Sequence, residues 1–174
     1  MVSLSAPDRE SLLAEPHVGA SSESAGQGRS PFVVRRRLQV AIDCSDPERL
    51  ATFWATLLGY VVDVPPAGHA NWQDFSLSAG VPGESWSAVV DPAGVGPRVL
   101  FHRVPESKVG KNRVHLDVRL SADSAVSPET RRRQVDAEVA RLQTLGGNHL
   151  RTEEDEHDYF AVMTDPEGNE FCIN

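Results

Sequence analysis

The chain of 174 residues is poor in cysteine, with Cys44 and Cys172 its only two. Two thiols are too few for a disulfide framework, so the sequence predicts a protein of the reducing cytoplasm. No apolar run approaches the ~18 residues that a membrane helix needs, and no membrane partner is expected. The opening residues Met1 to Glu10 mix in acids and do not read as a secretion signal. Positive charge is also scarce. Seventeen Lys and Arg against 25 Asp and Glu leave a net charge of −8, which argues against nucleic acid as a partner. Arg35-Arg36-Arg37 is read as a solvated basic edge before the first strand. Nucleophile elbow, phosphate loop and dinucleotide fingerprint are all missing, and Gly26-Gln27-Gly28 lacks the strand and helix that a phosphate cradle requires.

What remains is ordinary globular composition, 40% hydrophobic and 24% charged. Residues 1–33 are rich in Ser, Ala, Gly and Glu and bury too little to order themselves, so they are expected to form a disordered tail. A short helix around Ser11–Glu15 would be marginal alone. Leu38, Val40 and Ile42 then alternate with polar or small neighbours, the period of a strand. Ser45-Asp46-Pro47-Glu48 opens a helix through a capping side chain, a first-turn proline and an acid near the positive end of the dipole. Leu50, Phe53, Trp54, Leu57 and Leu58 form its apolar stripe, which places Trp54 in the core, and Gly59 ends it. Extended segments follow at Tyr60–Val64, Ser85–Val90 and Arg98–Val104; Asn71–Ser78 reads as a further strand or a loop excursion.

The order then recurs. Arg113–Arg119 alternates as a strand, and Ser127-Pro128-Glu129 caps a helix carrying Val135, Val139, Leu142 and Leu145 up to Gly146-Gly147. Strands are expected at Asn148–Thr152, Tyr159–Met163 and Glu170–Ile173, the last two joined by the turn Asp165-Pro166-Glu167-Gly168-Asn169. In that turn the proline fixes φ, and Gly168 and Asn169 are expected to supply positive φ. The acidic run Glu153–Asp158 around His157 matches no calcium loop and reads as a solvated hairpin. The result is an α+β fold of two tandem βαβββ units, residues 34–106 and 112–174, in one domain over 34–174.

Three stretches carry a family resemblance: Ala41-Ile-Asp-Cys-Ser-Asp-Pro-Glu-Arg-Leu-Ala-Thr-Phe-Trp-Ala-Thr-Leu-Leu-Gly-Tyr60; Phe101-His-Arg-Val-Pro-Glu with Lys111-Asn-Arg-Val-His-Leu-Asp117; and Met163 to Cys172. In this order they resemble the vicinal oxygen chelate superfamily of glyoxalase I, extradiol dioxygenases and bleomycin-resistance proteins, and within it the glyoxalase-like branch. The resemblance covers most of residues 36–174. It implies paired half-barrels, with metal ligands in the enzymes of the family taken from the first and last strands of each unit. Carried over, those positions become Gln39, Phe101, His115 (or Arg113, if the two units are aligned directly) and Cys172. Both glutamates that bind metal and move the proton in glyoxalase I are therefore missing. Gln39 and His115 alone cannot hold a divalent ion, although a Cys172 thiolate would suit zinc. The expectation is no cofactor, with a divalent metal on Gln39, His115 and Cys172 as the less favoured alternative.

Two readings of the polar residues stand side by side. His115 with Asp117 on one strand face would act as an oriented general base, with Arg113 holding an anionic or carbonyl oxygen. Alternatively Arg113, His115 and Asp117 form a structural cluster in which Arg113 neutralises the acid. Cys172 is a ligand, a nucleophile or a small buried residue. Trp86 and Phe101 would wall a pocket with Gln39, whereas His102, which alternates with Phe101, would face away from it. The functional expectation is a glyoxalase-like protein that acts on or binds a small organic molecule, with non-catalytic drug or metabolite binding as the alternative. The resemblance also implies a homodimer.

Overall fold

The first helix, α1 (Pro47–Leu58), forms where its start and stop signals agree. The Asp46 carboxylate accepts from Arg49 N at 3.1 Å, Pro47 occupies the first turn, and Gly59 closes the helix at φ +67°. Its apolar stripe faces the core: Leu50, Phe53, Trp54 and Leu57 are buried, and Leu58 is half-buried against them. The computed structural model describes residues 36–81, 85–121, 126–154 and 158–174. The expected tail, the short helix near Ser11 and His157 lie outside these residues.

Two four-stranded sheets build the fold. In the first, β1 (Gln39–Cys44), β4 (Arg98–Arg103), β3 (Trp86–Val90) and β2 (Val61–Val62) are ordered β1-β4-β3-β2. In the second, β5 (Asp117–Val118), β8 (Glu170–Ile173), β7 (Tyr159–Thr164) and β6 (Asn148–Glu154) repeat that order. The first strand pairs parallel with the last in each unit, and the remaining pairs are antiparallel. The second helix, α2 (Trp72–Ser78), lies within the first unit, and α3 (Pro128–Thr144) within the second.

Three expectations change in detail. Asn71–Ser78 is neither strand nor loop but α2, because the Asn71 side chain accepts from Asp74 N at 2.8 Å and caps a turn. Asn169 does not take positive φ; in that turn only Gly168 does, at +86°. The hydrogen bonds at 2.9 Å from Gly168's neighbour Asn169 and from Glu167 to Asp165 Oδ1 hold the turn instead. The strand expected over Arg113–Arg119 narrows to Asp117–Val118, although Cys172 N still donates to Leu116 O at 2.9 Å.

The position of α1 decides the architecture. It packs on β3 and β4 of its own sheet. Its Phe53 and Trp54 also reach Phe171 of the other sheet, with ring centroids 6.0 and 5.2 Å apart. Trp54 Nε1 donates across the units to the buried Asp165 Oδ2 at 3.2 Å. One apolar core therefore contains Val89, Val99 and Phe101 of the first sheet, Ala161, Met163, Phe171 and Ile173 of the second, and Val135 and Leu142 of α3. The helix layer is thus shared between the two sheets, and each sheet turns its other face outwards.

Candidate functional site

Strand alternation assigns every side chain of the first sheet to a face. The register pairs Gln39 with Arg98, Ala41 with Leu100 and Asp43 with His102 on the outward side. It pairs Val40 with Val99 and Ile42 with Phe101 on the helix side. Trp86 lies opposite His102 and so also faces outwards. This reverses two expectations. Phe101 is fully buried in the helix-side core and does not wall the outward face, while His102 belongs to that face. The reversal has a simple cause: β1 and β4 run in parallel register, and Gln39 aligns with Arg98, an odd number of residues from Phe101.

On the outward face α2 covers one side, with Phe75 packed on Trp86, Ala88 and Leu100. Among the described residues, that leaves β1 and the near edge of β4 uncovered, and Ala41 is exposed there. The polar side chains along this strip are arranged in two groups. Arg98 Nε donates to Asp63 Oδ2 at 2.7 Å, and its Nη1 donates to Gln39 Oε1 at 2.8 Å. The guanidinium also lies 5.8 Å from the Trp72 ring centroid. Further along, the His102 ring stacks on Trp86 at 5.6 Å and 12°, with Nδ1 3.8 Å from Asp43 Oδ1.

The outward face of the second sheet carries Asp117, Cys172 and Arg151, since Asp117 pairs with Cys172 and Val162 pairs with both Cys172 and Arg151. Burial raises the Cys172 thiol above its ordinary range, followed by the charge of Asp117 and a side-chain hydrogen bond to it; Arg151 opposes the shift. Arg151 Nε itself donates to Glu153 at 2.7 Å. His115 and Arg113 are exposed on the irregular segment before β5. The structure therefore brings Asp117 and Cys172 together in register and leaves His115 exposed on the segment two residues earlier. Within one chain it places Gln39 and Trp86 on a different outer face.

These positions do not suit the family's metal. Gln39 Oε1 already accepts from the Arg98 guanidinium at 2.8 Å, so a divalent cation there would have to compete with that hydrogen bond. Burial and the Asp117 charge raise the Cys172 thiol, which disfavours the thiolate that a ligand must present. Among the described residues, no three His, Cys, Asp or Glu side chains gather as a metal site requires. The residue that sequence reasoning missed is Arg98. Its signal was present, because a parallel β1–β4 pair puts an arginine beside Gln39, but only the register reveals it.

A duplicated βαβββ chain with mixed sheets of order β1-β4-β3-β2 defines the class, and sequence comparison places it further. The sequence model of the "Glyoxalase-like domain" family matches residues 39–174, and the chain belongs to that family. No curated protein matches its sequence. Among solved structures it is similar to hypothetical protein SA1046 from S. aureus, at 13% identity and a TM-score of 0.55, over 80% of this chain and 93% of that one. It is similar to a glyoxalase/bleomycin resistance protein/dioxygenase family enzyme from Burkholderia phytofirmans PsJN, at 16% identity and a TM-score of 0.53, over 78% and 94%. Fosfomycin resistance protein FosX from Mesorhizobium loti is also similar, at 9% identity and a TM-score of 0.55, over 82% and 92%. At these identities the likeness concerns the fold.

Proposed function

We propose that the chain binds a small organic molecule on the outward face of its first sheet, without a metal, in a site that a second copy of the chain closes. One observation carries the reading. Because α1 is shared between the sheets, Gln39, Arg98 and His102 occupy one outer face while Asp117 and Cys172 occupy another. A two-fold dimer would set the first face of each copy against the second face of the other, forming two equivalent sites. His115, Asp117 and Cys172 of the second copy would then line the wall opposite Trp86, Gln39 and Arg98.

Binding is favoured over glyoxalase chemistry because both carboxylate positions are changed and, among the described residues, no proton-moving acid takes their place beside Gln39 and Arg98. Arg98 is held by Asp63 and Gln39, and Asp117 sits beside Cys172 in the register of the second sheet. The drug-resistance names among the structural neighbours support a drug or metabolite as the bound molecule. The test is assembly together with binding. Sedimentation equilibrium should give twice the 19.0 kDa of one chain. Ala41→Arg, at an exposed position of the uncovered strip, should yield folded monomers with weakened ligand binding. A wild-type protein that stays monomeric while binding its ligand would refute the composite site.

A further inference from the structure

The Gln39–Arg98 contact fixes more than a cross-strand bond. An amide facing a guanidinium must present its oxygen, since its NH2 group would oppose donor to donor. With Oε1 turned to Arg98 Nη1 at 2.8 Å, the Gln39 Nε2 group is turned outwards. Arg98 is oriented in the same way. Asp63 takes its Nε–H at 2.7 Å and Gln39 takes one Nη1–H, which leaves Nη2 as the one guanidinium nitrogen with both its donors unused. Among the described residues, neither Gln39 Nε2 nor Arg98 Nη2 has a hydrogen-bond partner, and neither is sealed from solvent.

Two oriented donor groups thus share one patch of the strip, beside the half-buried Trp72 ring. A bare cation would attract any anion. Here Asp63 balances the Arg98 charge, so hydrogen-bond geometry and stacking decide what stays. We infer that Gln39 and Arg98 form an oxyanion-binding site whose ligand is a planar organic acid, its carboxylate spanning Gln39 Nε2 and Arg98 Nη2 and its ring or conjugated plane lying against Trp72. This rests on the reading that the first sheet's outward face is the binding face, and it names the ligand class for that face. It also moves the anion-holding role from Arg113, which is exposed before β5, to Arg98.

The test compares benzoate with its neutral isostere benzamide, by calorimetry on the wild-type protein and on Gln39→Glu. The substitution keeps an acceptor for Arg98, so the fold is retained, but it replaces both outward N–H donors with negative charge. The wild type should bind benzoate at least about tenfold more tightly than benzamide, a difference of about 1.4 kcal/mol. Gln39→Glu should lose about tenfold or more for benzoate and so erase the wild type's preference for benzoate over benzamide. Equal affinity of the wild type for the two probes would overturn the oxyanion site and leave the binding face standing. So would benzoate binding that is indifferent to Gln39→Glu. Failure of both probes to bind at millimolar concentration would remove the oxyanion site and the binding face together.

Discussion

Replacing Asp165 tests whether the two units share one core. The carboxylate is fully buried and accepts four hydrogen bonds: Trp54 Nε1 at 3.2 Å, and Glu167 N, Asn169 N and Asn169 Nδ2 at 2.9 Å each. Three of these close the β7–β8 turn, and the fourth comes from α1 of the other unit. Asp165→Ala removes every acceptor at once. The turn donors, being half-buried, recover part of their loss from water, whereas the indole N–H is sealed and loses its full partner. Hydrogen bonds to a charged group contribute roughly 1.5–3 kcal/mol each, and relief of carboxylate desolvation offsets part of the sum. A net loss of about 3 kcal/mol is expected, a large share of the roughly 5–15 kcal/mol that stabilises a domain. Asp165→Asn keeps one oxygen and should cost about half as much. Urea unfolding followed by both tryptophan fluorescence and circular dichroism measures this, and the two probes should move together because the core is continuous. A cost below about 0.5 kcal/mol for Asp165→Ala, or separate transitions for the two probes, would refute the shared core.

Two further outcomes follow from the same packing. Phe101→Ala should destabilise the protein by about 3–5 kcal/mol, because the ring fills the helix-side core, while benzoate affinity of the folded fraction stays unchanged; a selective loss of affinity would return Phe101 to the binding face. Burial pushes the Cys44 thiol up to about 12, with Glu167, Asp46, Asp165 and Asp43 adding to the shift, and Cys172 is raised as well. Iodoacetamide at pH 8 should therefore label both cysteines slowly in the folded protein and quickly in urea. The fold prefers the neutral Cys44 thiol, so its stabilising effect is complete below the ordinary value of 9.0 and is lost as pH rises towards about 12. Rapid labelling of Cys44 in the native protein would contradict this burial.

The sequence by itself determined the repeated βαβββ plan and the bounds of the two main helices. Those features follow from local causes: the Asp46 and Ser127 caps, the prolines after them, the stripe from Leu50 to Leu58, and the period of two in the strands. Asn71–Ser78 escaped because a seven-residue helix shows barely two turns of periodicity, too few to separate from a strand. The faces of the first sheet were settled only by tertiary structure. Alternation along β4 says that Phe101 and His102 oppose each other, but not which of them meets α1; the parallel register with β1 decides that. The same holds for the helix layer between the sheets, which depends on Trp54 meeting Phe171 and Asp165 more than a hundred residues away. Long-range contacts of this kind leave no period in the chain, so Gln39 and Cys172 were recognisable as strand residues, while the outer face each one occupies was set by packing.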